Sequence, residues 1–152
     1  MRALCIALIV LLLLPTSAPA QDDIVALAGA YQRGYLQVVE LCCFQLYAST
    51  GVVATDFSNG VIDAETALFA LDQNYLLLSA CISTLDEIIS LTPAEDETAH
   101  EALGRLAALL AKENQLLSAL TDLAAEPSAE RAQQADAARL AVEQALDAYT
   151  SE

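Results

Sequence analysis

The sequence has few of the residues that metal, haem and catalytic sites use. It contains one histidine (His100), one methionine (Met1), one lysine (Lys112) and no tryptophan. A di-iron carboxylate centre in a helical bundle needs two Glu-x-x-His motifs, and one histidine cannot complete them. A haem held by histidine and methionine lacks its methionine, because Met1 lies in the leader described below. We therefore expect no catalytic residue and no cofactor.

Several motifs that indicate an enzyme are also absent. The cysteines form neither CxxC nor CxxCH, which excludes a thioredoxin-type motif and a covalently attached c-type haem. No serine lies in a G-x-S-x-G nucleophile turn, and no glycine-rich loop is present to hold a phosphate. The sequence predicts a protein that is not an enzyme.

Basic residues are scarce. Six lysines and arginines stand against 21 aspartates and glutamates, so the whole chain carries a net charge of −15. Such a charge repels nucleic acids and anionic lipid surfaces. We expect no nucleic-acid partner, and we expect a protein partner or self-association instead.

Residues 1–20 have the organisation of a secretory signal peptide. Arg2 supplies the positive start, residues 3–14 form an apolar run, and Ala18-Pro19-Ala20 is a small-x-small cleavage site. Cleavage before Gln21 leaves one domain, residues 21–152, with 21 acidic and five basic residues and a charge of −16. The composition, rich in alanine and leucine, indicates a bacterium and thus a periplasmic or secreted protein.

The longest apolar segment of the mature chain, residues 64–91, is predicted to be the central helix. Leu68, Leu71, Tyr75 and Leu78 recur at spacings of three and four, which is the period of one helical face. A membrane span needs roughly 20 apolar residues. The uncharged run from Gln73 to Leu85 has only 13. We therefore expect a core helix, buried on several sides, and no membrane insertion of the mature chain.

The fold class predicted is all-α, an antiparallel up-down-up-down four-helix bundle preceded by the cleavable signal peptide. Its helices are expected at about 22–50, 61–91, 93–125 and 127–150, with one sizeable loop at residues 52–60. Thr92-Pro93-Ala94-Glu95 reads as a capping box that starts the third helix. The buried face of the first helix is expected to include Tyr31, Tyr35, Val38, Cys42 and Leu46.

Three cysteines remain after cleavage: Cys42, Cys43 and Cys81. In an oxidising compartment a disulfide of Cys81 with either neighbour is the first hypothesis. A hairpin that turns near residue 55 argues against this disulfide, because Cys81 would then lie level with residue 30. That position is about 20 Å along the helix from Cys43, whereas the Cα atoms of a disulfide lie within about 7 Å of each other. Buried free thiols, an intermolecular bridge and a soft-metal site therefore remain open.

Two weaker candidate sites were identified. Glu97, His100 and Glu101 could hold one weakly bound divalent cation, but the preferred interpretation is a solvated acidic first turn of the helix. Tyr31, Tyr35 and Tyr75 would lie together in the predicted hairpin and could line an apolar pocket.

The function predicted is a non-catalytic interaction or structural module of the bacterial envelope. The alternative is a periplasmic carrier of a small apolar ligand or a metal cation.

Overall fold

The computed structural model describes the backbone of residues 21–151 and the side chains of residues 29–151. Residues 34–151 belong to one compact unit, and the described residues before Gly34 belong to another. The described part contains four helices and no strand: α1 (Gln21–Ser58), α2 (Ala64–Leu91), α3 (Glu97–Ala125) and α4 (Ala129–Thr150). The prediction of an all-helical, bundle-like fold is confirmed. The predicted signal peptide lies outside the described residues.

Helix α1 is longer than predicted and ends at Ser58 instead of near residue 50. Val53, Ala54 and Phe57 pack against the core, and this contact keeps the last two turns helical despite Gly51. The helix ends where Gly60 adopts a positive φ of 68°. There the N–H of Val61 donates to Asp56 O (2.8 Å) and the N–H of Gly60 to Phe57 O (3.0 Å). These two bonds form a glycine-terminated helix end.

Helix α2 occupies the predicted segment, and Asp63 caps it by accepting the N–H of Thr66 at 2.9 Å. The predicted capping box at Thr92 is wrong. Thr92 instead ends α2, and its hydroxyl donates to Ile88 O at 2.8 Å. Helix α3 starts four residues later than predicted, with Asp96 as its N-cap. The Asp96 carboxylate, and not the Thr92 hydroxyl, accepts an N–H of the first turn of α3, from Ala99 at 3.0 Å.

Helix α4 begins at Ala129, two residues later than predicted. Ser128 is its N-cap, and the Ser128 hydroxyl accepts the N–H of Arg131 at 3.2 Å. The preceding Pro127 therefore lies outside the helix. Three side chains of α4 are fully buried: Ala135, Val142 and Leu146.

The most deeply buried helix is α3 and not α2, which corrects the prediction of a central α2. Helix α3 contributes seven leucines to the core: Leu103, Leu106, Leu109, Leu110, Leu116, Leu117 and Leu120. Helix α2 buries one face and leaves Phe69 and Leu76 more than 60% exposed on the other. Uniform apolar composition therefore did not lead to burial on all sides.

The buried face of α1 also differs from the prediction. Tyr31, Tyr35 and Val38 are each more than half exposed. The predicted Leu46 is buried, but the other fully buried residues of α1 are Val39, Cys43 and Thr50. Both lines of residues are apolar at helical spacing, so the sequence period alone does not distinguish them.

Two described stretches, Gly29–Ser58 and Ala64–Leu91, are long and apolar enough to cross a membrane. That finding concerns length and composition only, and the core helix of a water-soluble bundle meets the same criteria. In the most apolar window of each stretch, 22% of the residues are buried inside the structure.

Candidate functional site: buried thiols and a carboxyl group

A buried polar contact joins α1 to α2. The Asn74 side chain, only 9% exposed, donates from Nδ2 to Thr50 Oγ1 at 3.0 Å. Its Oδ1 accepts the hydroxyl of Ser49 at 3.1 Å. Asn74 is thus satisfied on both ends of its amide, and the contact fixes which residues of α1 lie beside which residues of α2.

The three thiols lie two helical turns from this contact. Cys43 and Cys81 are buried and Cys42 is half-buried, and all three are free cysteines in the structure. The Cys42 thiol lies near enough to Cys81 to act on it electrostatically. Burial raises the pKa of the Cys81 thiol to about 12, and the neighbouring Cys42 adds to this shift. Burial also raises the pKa of Cys43, with a further contribution from Glu113.

The fourth member of the cluster is Glu113 of α3. Its side chain is 2% exposed, and neither carboxylate oxygen has a hydrogen-bond partner in the described structure. Burial raises the pKa of Glu113 to about 8, so the neutral acid is the main form at pH 7. The Glu113 carboxyl group acts electrostatically on both Cys43 and Cys81.

The arrangement determines which thiol can react. The thiolate is the nucleophile, and a buried thiol with a raised pKa supplies little of it. Cys43, 0% exposed, is therefore the least reactive, whereas half-buried Cys42 is the thiol nearest to solvent. Among the described residues, no group of three or more histidine, cysteine, aspartate or glutamate side chains is arranged to hold a metal ion.

The weak cation candidates Glu97, His100 and Glu101 lie in the first turns of α3 and do not converge. His100 Nε2 lies 3.2 Å from the carbonyl oxygen of Pro93, and Glu101 forms an exposed ion pair with Arg105 at 3.9 Å. The neighbouring Asp96 carboxylate is used as the helix cap. The three tyrosines are also not a cluster facing the core, because Tyr31 and Tyr35 are exposed.

A second feature is an uncharged exposed surface on α1. Its centre consists of Val38, Leu41 and Val52, with exposures of 56%, 67% and 60%, and Tyr35 and Phe44 lie at its edges. We call these five residues the α1 apolar face. Between Gly34 and Thr55 the only charged residue is Glu40, which accepts the hydroxyl of Tyr149. A contiguous exposed apolar surface is a common feature of protein interaction sites.

A third feature is an open crevice of about 760 Å³. Its apolar floor includes Leu116, Leu120 and Ala135. Its polar rim carries an electrostatic network in which Tyr47 donates to Glu143 at 2.7 Å and Arg139 pairs with Asp136 at 2.8 Å. Arg139 also pairs with Glu143. The hydrogen bond from Tyr47 is the main cause that lowers the pKa of Glu143, so the rim remains charged at neutral pH.

Comparison with known proteins does not identify a relative: no family model, no curated protein and no solved structure matches this chain.

Sequence reasoning missed Glu113, Asn74 and the contacts of α4 with α1. A signal for Glu113 was present in the sequence. The buried seam of α3 runs through Leu106, Leu110 and Leu117, and its spacing of three and four residues places position 113 on the same face. For Asn74 the signal is similar, because it lies between Leu71 and Leu78 on one helical face. The Tyr47–Glu143 bond spans 96 residues and has no local signal.

Proposed function

We propose that this chain is an exported, acidic, non-catalytic helical-bundle protein of the bacterial envelope that acts as an interaction module by pairing with a second copy of itself. The α1 apolar face carries the proposal. Leu41 at its centre is 67% exposed, in a chain whose mature form bears 21 acidic residues. The signal-peptide pattern of residues 1–20 supports export to the periplasm or beyond.

Contacts between helices support an antiparallel up-down-up-down arrangement. Cys42 is a partner of Cys81, and Thr50 is a partner of Asn74, so residue numbers increase along α1 as they decrease along α2. The same is true of α1 and α4, where Glu40 bonds Tyr149 and Tyr47 bonds Glu143. Among the residues whose side chains the structure describes, 29–151, none covers the α1 apolar face.

Charge favours a second copy over other occupants of the α1 apolar face. A basic partner would be recognised by carboxylates, and the only one between Gly34 and Thr55, Glu40, already bonds Tyr149. An anionic lipid surface is repelled by the net charge. Two copies can instead meet across a twofold axis with the same patch on each side, which requires a self-complementary surface without like charges. An uncharged apolar stripe on a single helix meets that condition.

The test is the molar mass of residues 21–152 in solution, measured by size-exclusion chromatography with light scattering. We expect a mass twice that of the monomer. Leu41→Glu places a carboxylate at the centre of the face and should give the monomer mass. Leu140→Glu is the matched control, because Leu140 is an exposed leucine of α4 (43%) outside the face. A monomeric wild-type protein would contradict the proposal.

The crevice favours a second candidate function, the carriage of a small apolar ligand. Its volume of about 760 Å³ falls within the usual range for ligand pockets, roughly 300–1,000 Å³. Native mass spectrometry of protein isolated from an export compartment tests this function. A bound small molecule that is lost in a Leu120→Glu variant would support it, and ligand-free protein would reject it.

A further inference from the structure

The contact register of α1 and α2 brings two cysteines together. Ser49 bonds Asn74 across the two helices at 3.1 Å. Seven residues before Ser49 is Cys42, seven residues before Thr50, the other partner of Asn74, is Cys43, and seven residues after Asn74 is Cys81. Seven residues are close to two full helical turns, so the register brings Cys81 level with Cys42 and Cys43. The electrostatic interaction of the Cys42 thiol with Cys81 favours Cys42 as the nearer of the two.

We propose that Cys42 and Cys81 form an intramolecular disulfide that links α1 to α2, and that Cys43 keeps its free thiol. Both thiols lie on the contacting side of their helices, and a disulfide requires their sulfur atoms to close to the bond length of about 2.05 Å. The odd number of cysteines in the mature chain is then accounted for by one internal bridge and one buried thiol. The proposal is independent of what the α1 apolar face binds.

Cys43 is the less suitable partner for Cys81. Adjacent residues of a helix point about 100° apart, so Cys42 and Cys43 cannot both face the same sulfur. Cys43 is fully buried, and the neighbouring group that acts most strongly on it is Glu113 of α3, ahead of Cys81. For Cys81, by contrast, Cys42 acts more strongly than Glu113.

Oxidation follows ordinary thiol–disulfide exchange with an external disulfide, either a small molecule or an oxidoreductase of the export compartment. The half-buried Cys42 thiolate attacks one sulfur of the external disulfide, forms a mixed disulfide and releases the first thiolate. Cys81, as its thiolate, then attacks Cys42 Sγ, forms the internal bridge and releases the second thiolate. The two protons of Cys42 and Cys81 end on the two released thiols, and the external disulfide is reduced by two electrons.

The experiment uses the full chain, reduced, folded and then equilibrated with oxidised glutathione. Remaining thiols are alkylated in denaturant, and the protein is cleaved at aspartates such as Asp56 and Asp72, which separate Cys42 and Cys43 from Cys81. We expect the peptide that contains Cys42 and Cys43 to be cross-linked to the peptide that contains Cys81. The oxidised monomer should have lost two hydrogens, and only Cys5 and Cys43 should be alkylated. An unoxidised protein or a cross-link between molecules would overturn the proposal.

Serine variants identify the partner, because cleavage does not separate Cys42 from Cys43. The cross-link should persist in Cys43→Ser and disappear in both Cys42→Ser and Cys81→Ser. A cross-link that survives in Cys42→Ser would assign Cys43 as the partner and overturn the pairing. Far-ultraviolet circular dichroism of each variant shows that it is folded, so loss of the bridge is not confused with loss of the helices.

Discussion

A carboxyl group that is buried without a hydrogen-bond partner is expensive to ionise, and Glu113 is such a group. In the seam of α3 it takes a position that leucine occupies in the neighbouring turns. Its protonation state therefore links the stability of the fold to pH. The pKa of Glu113 is raised from 4.5 to about 8 in the folded chain, and the unfolded chain keeps the ordinary value.

The direction of the pH effect follows from this shift. Below pH 4.5 the folded and unfolded chains both bind the proton, and Glu113 carries no ionisation penalty. As the pH rises towards 8, the unfolded chain loses the proton before the folded chain does, so the free energy of unfolding falls. The loss reaches at most about 5 kcal/mol above pH 8, at about 1.4 kcal/mol for each unit of pKa shift.

We therefore expect Glu113→Gln to reduce the loss of stability between pH 5 and pH 8. Urea unfolding at both pH values measures the free energy of unfolding of wild type and variant. Glu101→Gln is the matched control, because Glu101 lies on the exposed side of the same helix. An equal pH dependence in the wild type and in Glu113→Gln would show that Glu113 ionises in the folded protein as readily as in the unfolded one.

At the level of the helices, the sequence predicted their number and order and the position of α2, and it failed at their ends and faces. Gly51 followed by two valines resembles a helix end, but packing of Phe57 extends α1 to Ser58. This extension moves the turn towards Gly60 and brings Cys42 beside Cys81. The objection to a disulfide drawn from the sequence thus depended on one misplaced helix end.

The choice of buried face failed for a different reason. On α1, Val38 and Leu41 are as apolar as the buried Val39 and Leu46, so periodicity gives two acceptable faces. Which of them is buried depends on the neighbouring helices, and that information is not local. The same ambiguity explains why the exposed apolar surface was not predicted from the sequence.

The start of α3 offers a direct test of the observed cap against the capping box suggested by the sequence. Asp96 accepts the N–H of Ala99 at 3.0 Å, so Asp96→Ala should lower the free energy of unfolding by about 1 kcal/mol. Glu95→Ala should change it by less than about 0.5 kcal/mol, as for an ordinary surface site. Urea unfolding at pH 7 measures both. A larger effect of Glu95→Ala than of Asp96→Ala would favour the capping box.

For the whole molecule, the segregation of charge is the main physical feature. Residues 21–152 include 21 acidic and five basic residues, whereas the 22 residues from Gly34 to Thr55 contain a single carboxylate, Glu40. In the proposed dimer, two copies would attract through apolar contact at the α1 apolar face and repel through the charge of the remaining surface. The two effects differ in their response to salt, because screening weakens the repulsion between exposed charges and leaves apolar contact intact.

This opposition predicts that salt strengthens self-association. Raising the ionic strength from about 0.01 M to about 1 M shortens the screening length from roughly 30 Å to roughly 3 Å, so the dimer dissociation constant should fall. Sedimentation equilibrium at the two salt concentrations measures that constant. Leu41→Glu should remain monomeric at low salt. At high salt its self-association should strengthen less than that of the wild type, because the introduced carboxylate lies inside the contact. If salt instead dissociated the dimer, the contact would have to be made by paired charges, and the α1 apolar face would not be the surface that joins the two copies.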